Sequence, residues 1–176
     1  MPHFFRVLAI SALSACALTA HAADLQCASG TLVEVSGQVT TLNISATRQA
    51  GQICMVLTDL ASGMERFNSC GALVGKIVSS DPSMGTSVLT HTALFDQKNS
   101  FRTENDVAQI TAPIDFDPVT GAPCAFSVTE RITQIAWAKG VVQKGPVDIV
   151  AEGQISACPG KNLNSFILSG QACIHP

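Results

Sequence analysis

The sequence predicts an all-β domain, an antiparallel up-and-down barrel with cross-strand disulfides, from three observations. Short runs rich in Val, Ile and Thr recur along the chain, separated by Gly, Pro, Asn and Asp turns. No segment beyond the first 22 residues carries the periodicity of an amphipathic helix. Four of the cysteines sit symmetrically about two hairpin turns. A Greek-key β-sandwich is the alternative; the tandem hairpins, with few long crossovers, favour the barrel.

Residues 1–22 have the anatomy of a signal peptide: His3 and Arg6, an apolar run over 7–17, then Ala20-His21-Ala22 with small residues flanking the cleavage position. Cleavage after Ala22 leaves residues 23–176 as a single domain, which is long enough to bury a core. The expected location is periplasmic or secreted. Leu13-Ser14-Ala15-Cys16 also fits a lipobox, which gives the alternative of a lipid anchor through Cys16. The apolar run is shorter than the ~20 residues of a membrane span, so no transmembrane segment is expected. Losing the leader removes Arg6 from a chain with 10 basic and 13 acidic residues, so the mature net charge is about −4. No basic patch remains to hold phosphates, which excludes nucleic acid as an expected partner.

The chain has seven cysteines, and the leader takes Cys16. The even set left in an exported chain reads as disulfides. Cys54 and Cys70 are equidistant from a turn at Ser62, and Cys124 and Cys158 from one at Val141. Cys27 and Cys173 then remain, flanking the first and last strands, which a closing barrel brings side by side. No close Cys pair offers a zinc site, and only Cys173-Ile174-His175 brings His near Cys. Asp115 and Asp117 supply too few oxygens for calcium. Neither a metal nor a cofactor is expected.

In chain order, residues 30–36 read as a first strand broken by Gly37, and 39–47 as a second, with Leu42 and Ile44 on one face. Residues 53–59 and 65–70 form a hairpin that sets Leu57 against Phe67 and Cys54 against Cys70, with Ile53, Met55 and Leu57 facing the core. Residues 72–79 and 86–95 pair across Asp81-Pro82-Ser83-Met84-Gly85, placing Ile77 opposite Leu89, Leu73 opposite Ala93 and Gly75 opposite His91. Residues 101–112 follow, in a register that pairs Phe95 with Phe101 and brings Asn105 opposite His91. The other parity would bury Arg102, Glu104 and Asp106, at the cost of three desolvated charges. Residues 113–123, bounded by prolines, read as the longest loop. Residues 125–137 and 147–157 form a last long hairpin, with Thr133 opposite Ile149 and Ile135 opposite Val147. Glu130 shares a face there with Val128 and Ile132. A strand over 163–174, interrupted by Gly170, ends the chain.

Leu89-Thr90-His91-Thr92, Ser100-Phe101-Arg102-Thr103-Glu104-Asn105-Asp106, Val128-Thr129-Glu130-Arg131-Ile132 and Leu168-Ser169-Gly170-Gln171-Ala172-Cys173 together resemble small bacterial exported β-barrels of the allene oxide cyclase and dirigent type. The resemblance covers about half of the mature chain and implies a barrel. It departs at Trp137-Ala138-Lys139-Gly140, where a Gly-rich turn ending in an aromatic and a second glycine would be looked for, and it assigns no catalytic residue.

No nucleophile elbow or other reaction motif occurs. The candidate site residues are His91, Glu130 and Asn105, the polar groups that the registers above bring to one apolar inner face. Such a set could move a proton or anchor the polar end of an apolar ligand. The plainer alternative makes His91 a satisfied core residue and lets a bulge turn Glu130 out to water. The function expected is non-enzymatic binding of a small apolar molecule or a protein partner. The alternatives are an isomerase or cyclase using His91 and Glu130, and a structural or adhesin subunit.

Overall fold

The alternation of apolar and polar residues on either side of Ser62 sets the first hairpin. Cys54 pairs with Cys70, Met55 with Ser69 and Leu57 with Phe67, so Ile53, Met55 and Leu57 turn inward and are buried. Asp59 closes the turn: one carboxylate oxygen accepts the backbone N–H of Ala61 and Ser62, while the other meets Arg66 at 2.6 Å. These contacts, the Arg66 bond foremost, hold the Asp59 carboxyl down to about 2.

The same logic extends through nine strands, β1 Thr31–Ile44, β2 Arg48–Asp59, β3 Glu65–Asp81, β4 Thr86–Leu94, β5 Ser100–Thr103, β6 Asp106–Phe116, β7 Pro123–Ala138, β8 Gly145–Ser156 and β9 Ser165–Ile174. The computed structural model describes residues 25–44, 47–96, 99–138, 145–160 and 164–174, without the side chains of residues 41, 42, 137, 138 and 145. The expected leader over 1–22, with Cys16, lies outside the described residues. So do the Leu42 side chain and the turn at Val141. Strands and turns make up the described residues, and no helix among them is long and apolar enough to cross a membrane.

Each strand pairs antiparallel with the next, except that β5 and β6 do not pair with each other, and β1 pairs with β9, from Thr31 against Ile174 to Val39 against Phe166. The sheet is therefore a closed up-and-down barrel of eight strand positions, not a Greek-key sandwich. One position is shared, because β5 and β6 both bridge β4 and β7 at different heights. The interior is filled by Val33, Val35, Ile53, Met55, Leu57, Leu73, Ile132, Ile149, Phe166 and Leu168 among others. Burying each such side chain contributes ~1.5–3 kcal/mol.

All three expected disulfides are present, Cys27–Cys173, Cys54–Cys70 and Cys124–Cys158, with Cα separations of 5.5, 3.9 and 4.9 Å. The second lies on the outer face of its hairpin, where both cysteines are exposed. The first ties the segment before β1 to β9 and so locks the barrel's seam.

Five sequence expectations need correction. Neither Gly37 nor Gly170 breaks its strand: β1 runs through Gly37, where a Cβ would lie 2.7 Å from the Cys54 carbonyl oxygen, so glycine permits a close approach of β1 to β2, and β9 runs through Gly170, which pairs with Val35 and Ile149. Residues 65–70 and 72–79 are one continuous strand of 17 residues. Residues 113–123 are the tip of a β6–β7 hairpin, closed by Asp117, whose carboxylate accepts the Val119 and Thr120 N–H groups. The β7–β8 register differs by one residue as far as Ile132, which lies opposite Ile149, and by two beyond it, with Ile135 opposite Gly145. An irregularity between Ile132 and Gln134 lets both isoleucines face inward.

The fifth correction bears on the site. Phe101 pairs with Ala93 rather than Phe95, and the expected single strand over 101–112 is broken after Thr103. Asn105 adopts a left-handed conformation with φ 60°, so Asn105 is exposed, Asp106 turns inward and Val107 turns out. Of the three charges weighed for burial, only Asp106 goes inside. Arg102 and Glu104 stay exposed and lie 3.6 Å apart.

Candidate functional site

A row of inward-facing residues crosses the ladder from β2 to β4: Gln49 is paired with Gly75, and Gly75 with His91. Beyond β4 the row continues through Thr103 at the end of β5, Asp106 at the start of β6 and Glu130 on β7. The glycine opens the space into which the His91 imidazole lies.

His91 is the hub, and both of its ring nitrogens face oxygen. Nδ1 is hydrogen-bonded to Asp106 Oδ2 at 3.2 Å and lies 3.1 Å from Glu130 Oε1; Nε2 is 3.0 Å from Gln49 Oε1. The Thr103 hydroxyl accepts the His91 backbone N–H at 3.0 Å and donates to Asp106 Oδ2. Thr103 and Asp106 are fully buried, and His91 and Glu130 nearly so, at 7% and 8% exposure. Two carboxylate oxygens in this group, Asp106 Oδ1 and Glu130 Oε1, have no hydrogen-bond partner. For Glu130 the reason is that one Nδ1–H, aligned with Asp106, cannot satisfy a second acceptor.

Burial alone would lower the His91 pKa, but the hydrogen bond to Asp106, the close approach of Glu130 and the two negative charges outweigh it and raise it to about 9. Asp106 is pushed upward, chiefly by burial, against the pull of its bonds from His91 and Thr103. The cluster therefore holds a proton near neutral pH, and the ring is an imidazolium between acceptors.

Next to the cluster is a cavity of about 30 Å³. Its remaining wall is apolar, including Val39, Ile53, Leu73, Phe101 and Phe166. That volume admits one or two waters, or a group of that size. Half-buried Gln49 also borders it.

Of the sequence candidates, His91 and Glu130 converge and Asn105 does not. The bulge that would have turned Glu130 outward is absent at that position: Glu130 pairs in regular ladder with Ala108 and Ala151 and faces the interior. Asp106 takes the place expected for Asn105. A signal for this existed, since Asn is the side chain that most readily accepts a left-handed backbone, and Glu104-Asn105-Asp106 interrupts an otherwise strand-like run. The register of 101–112 places Thr103 inward, beside Phe101, but gives it no role. Gln49, 42 residues from His91 in sequence, carried no local signal.

His91, Asp106 and Glu130 could also hold a metal ion, because one donor atom from each lies within 4.8 Å of the others. The one His that the sequence sets near a Cys, His175, is outside the described residues. Asp115 and Asp117 are elsewhere, occupied by the backbone N–H groups of their own hairpin tip. Compared with known proteins, the chain matches no family model, no curated protein and no solved structure.

Proposed function

We propose that this protein is an exported, non-enzymatic binding barrel that takes a small, mostly apolar ligand by its polar end at the His91, Asp106 and Glu130 cluster. Export rests on the leader-like residues 1–22 and on three disulfides, bonds that persist in oxidising compartments such as the periplasm or outside the cell. The observation that carries the binding reading is the unevenness of the interior, a charged group with unpartnered carboxylate oxygens set in an apolar wall. Apolar-walled sites with a few polar groups orient a ligand by its polar end, and the ~30 Å³ beside the cluster has room for such an end.

Native mass spectrometry of protein purified from its own compartment tests this. The expected result is an added small-molecule mass that is lost in His91→Ala. Bare polypeptide alone, both as purified and after incubation with a panel of apolar acids and alcohols, would overturn it.

A second reading, an isomerase or cyclase, is favoured by one observation: His91 Nδ1 lies 3.2 Å from a carboxyl whose own pKa is raised, a donor and an acceptor in one buried place. Two coupled proton steps in an NMR titration, both abolished by His91→Ala, would support it. The structural-subunit reading requires an open sandwich to receive a donated strand, and gains no support from a closed barrel.

A further inference from the structure

We propose that His91 Nδ1, Asp106 and Glu130 bind a divalent first-row transition ion of the zinc type inside the barrel. The ion shares the cluster with the binding reading but does not depend on it, since whether an organic molecule co-purifies leaves the metal test unaffected.

The geometry is that of a ligand set. Zinc bonds of about 2.0–2.1 Å arranged tetrahedrally put donor atoms roughly 3.3 Å apart. Nδ1 lies 3.2 Å from Asp106 Oδ2 and 3.1 Å from Glu130 Oε1. Three protein donors leave a fourth position, and the adjoining cavity of about 30 Å³ has room for a water there.

Two features independent of the spacing point the same way. The first is that Glu130 Oε1 is buried, aimed at Nδ1 and without a hydrogen bond. A single proton on Nδ1 serves one carboxylate; a divalent cation in its place serves both, and brings two carboxylates and a neutral imidazole to zero net charge. The second is the support around the ligands. Nε2 faces Gln49 Oε1 at 3.0 Å, the contact that fixes a metal-binding histidine in the tautomer with Nδ1 bare, and the Thr103 hydroxyl orients Asp106 from behind. A nitrogen with two carboxylates suits zinc or a neighbouring ion better than magnesium or calcium, which favour all-oxygen sites.

The test uses mature protein stripped of metal with a chelator, titrated with Zn²⁺ alone and followed by calorimetry and by the ¹⁵N signals of the His91 ring. One equivalent of Zn²⁺ is expected to bind, with the Nδ1 signal moving to that of a metal-bound nitrogen while Nε2 keeps its proton. Affinity should fall at least ~100-fold in Glu130→Gln and in Asp106→Asn and be unchanged in His175→Ala, which removes the terminal Cys173-Ile174-His175 alternative. Binding that leaves the His91 ring signals unmoved in the wild type, or that survives both carboxylate substitutions, would overturn the site. Should either variant fail to fold, the wild-type ring signals decide alone.

Discussion

The His91 imidazole lies directly over the backbone of Gly75, so that a Cβ at residue 75 would sit 2.7 Å from Cδ2 and 2.8 Å from Nε2 of the ring. The ring cannot easily yield, because Asp106 and Gln49 hold its two nitrogens. Gly75→Ala should therefore cost about 1–3 kcal/mol, the usual range for overpacking a tight interior, and shift the His91 ring resonances. Urea unfolding and an imidazole NMR spectrum check both; a variant as stable as wild type with unmoved signals would show that the ring is not pinned.

The charged cluster predicts a pH dependence for the metal-free protein. His91 is raised from 6.5 to about 9, so its contribution is complete below 6.5 and is lost as pH climbs through 9. Asp106, also raised, acts with the same sign: stability falls as pH rises from 3.8 toward its folded value. From the His91 shift alone the loss between pH 6 and pH 10 is on the order of 3 kcal/mol. Denaturant midpoints across that range should fall in the wild type and change much less in His91→Gln. A flat wild-type profile would refute the imidazolium cluster.

Asn105 tests how the chain delivers Asp106 to the interior. Its side chain is exposed and its backbone is left-handed at φ 60°, so the residue matters for conformation rather than contact. Asn105→Gly should be close to neutral. Asn105→Val should lose about 1–2 kcal/mol, because a branched Cβ clashes in that region. Equal thermal midpoints for the two variants would mean that the turn is held by something other than local sterics.

The three disulfides should rank by the loops they close. Their sequence separations are 146, 34 and 16 for Cys27–Cys173, Cys124–Cys158 and Cys54–Cys70. In the chain-entropy view, removing them as paired Cys→Ala substitutions costs about 5, ~4 and ~3 kcal/mol. Unfolding of the three double variants gives the order directly, and a reversed order would place their effect in the native state instead.

The sequence by itself determined the all-β class, and it favoured the closure and the cross-links that the structure shows. Alternation with period two fixes which side chains face inward, and turn residues fix hairpin centres, so Leu57 against Phe67, Gly75 against His91 and the two hairpin cystines follow from local pattern and symmetry, while Cys27–Cys173 follows once the barrel closes. Only the tertiary structure decided where the pattern slips. At Asn105 one left-handed residue reverses the parity at the start of β6, exchanging Asn105 for Asp106 beside His91. Sequence reasoning rejected a buried Asp106 because an isolated charge is costly to desolvate. The cost is offset by Thr103 and His91, partners that local alternation did not place beside that carboxylate. Gln49 was illegible for the same reason, since its contact with His91 exists only once β2, β3 and β4 lie side by side, and no local propensity encodes a distance across three strands.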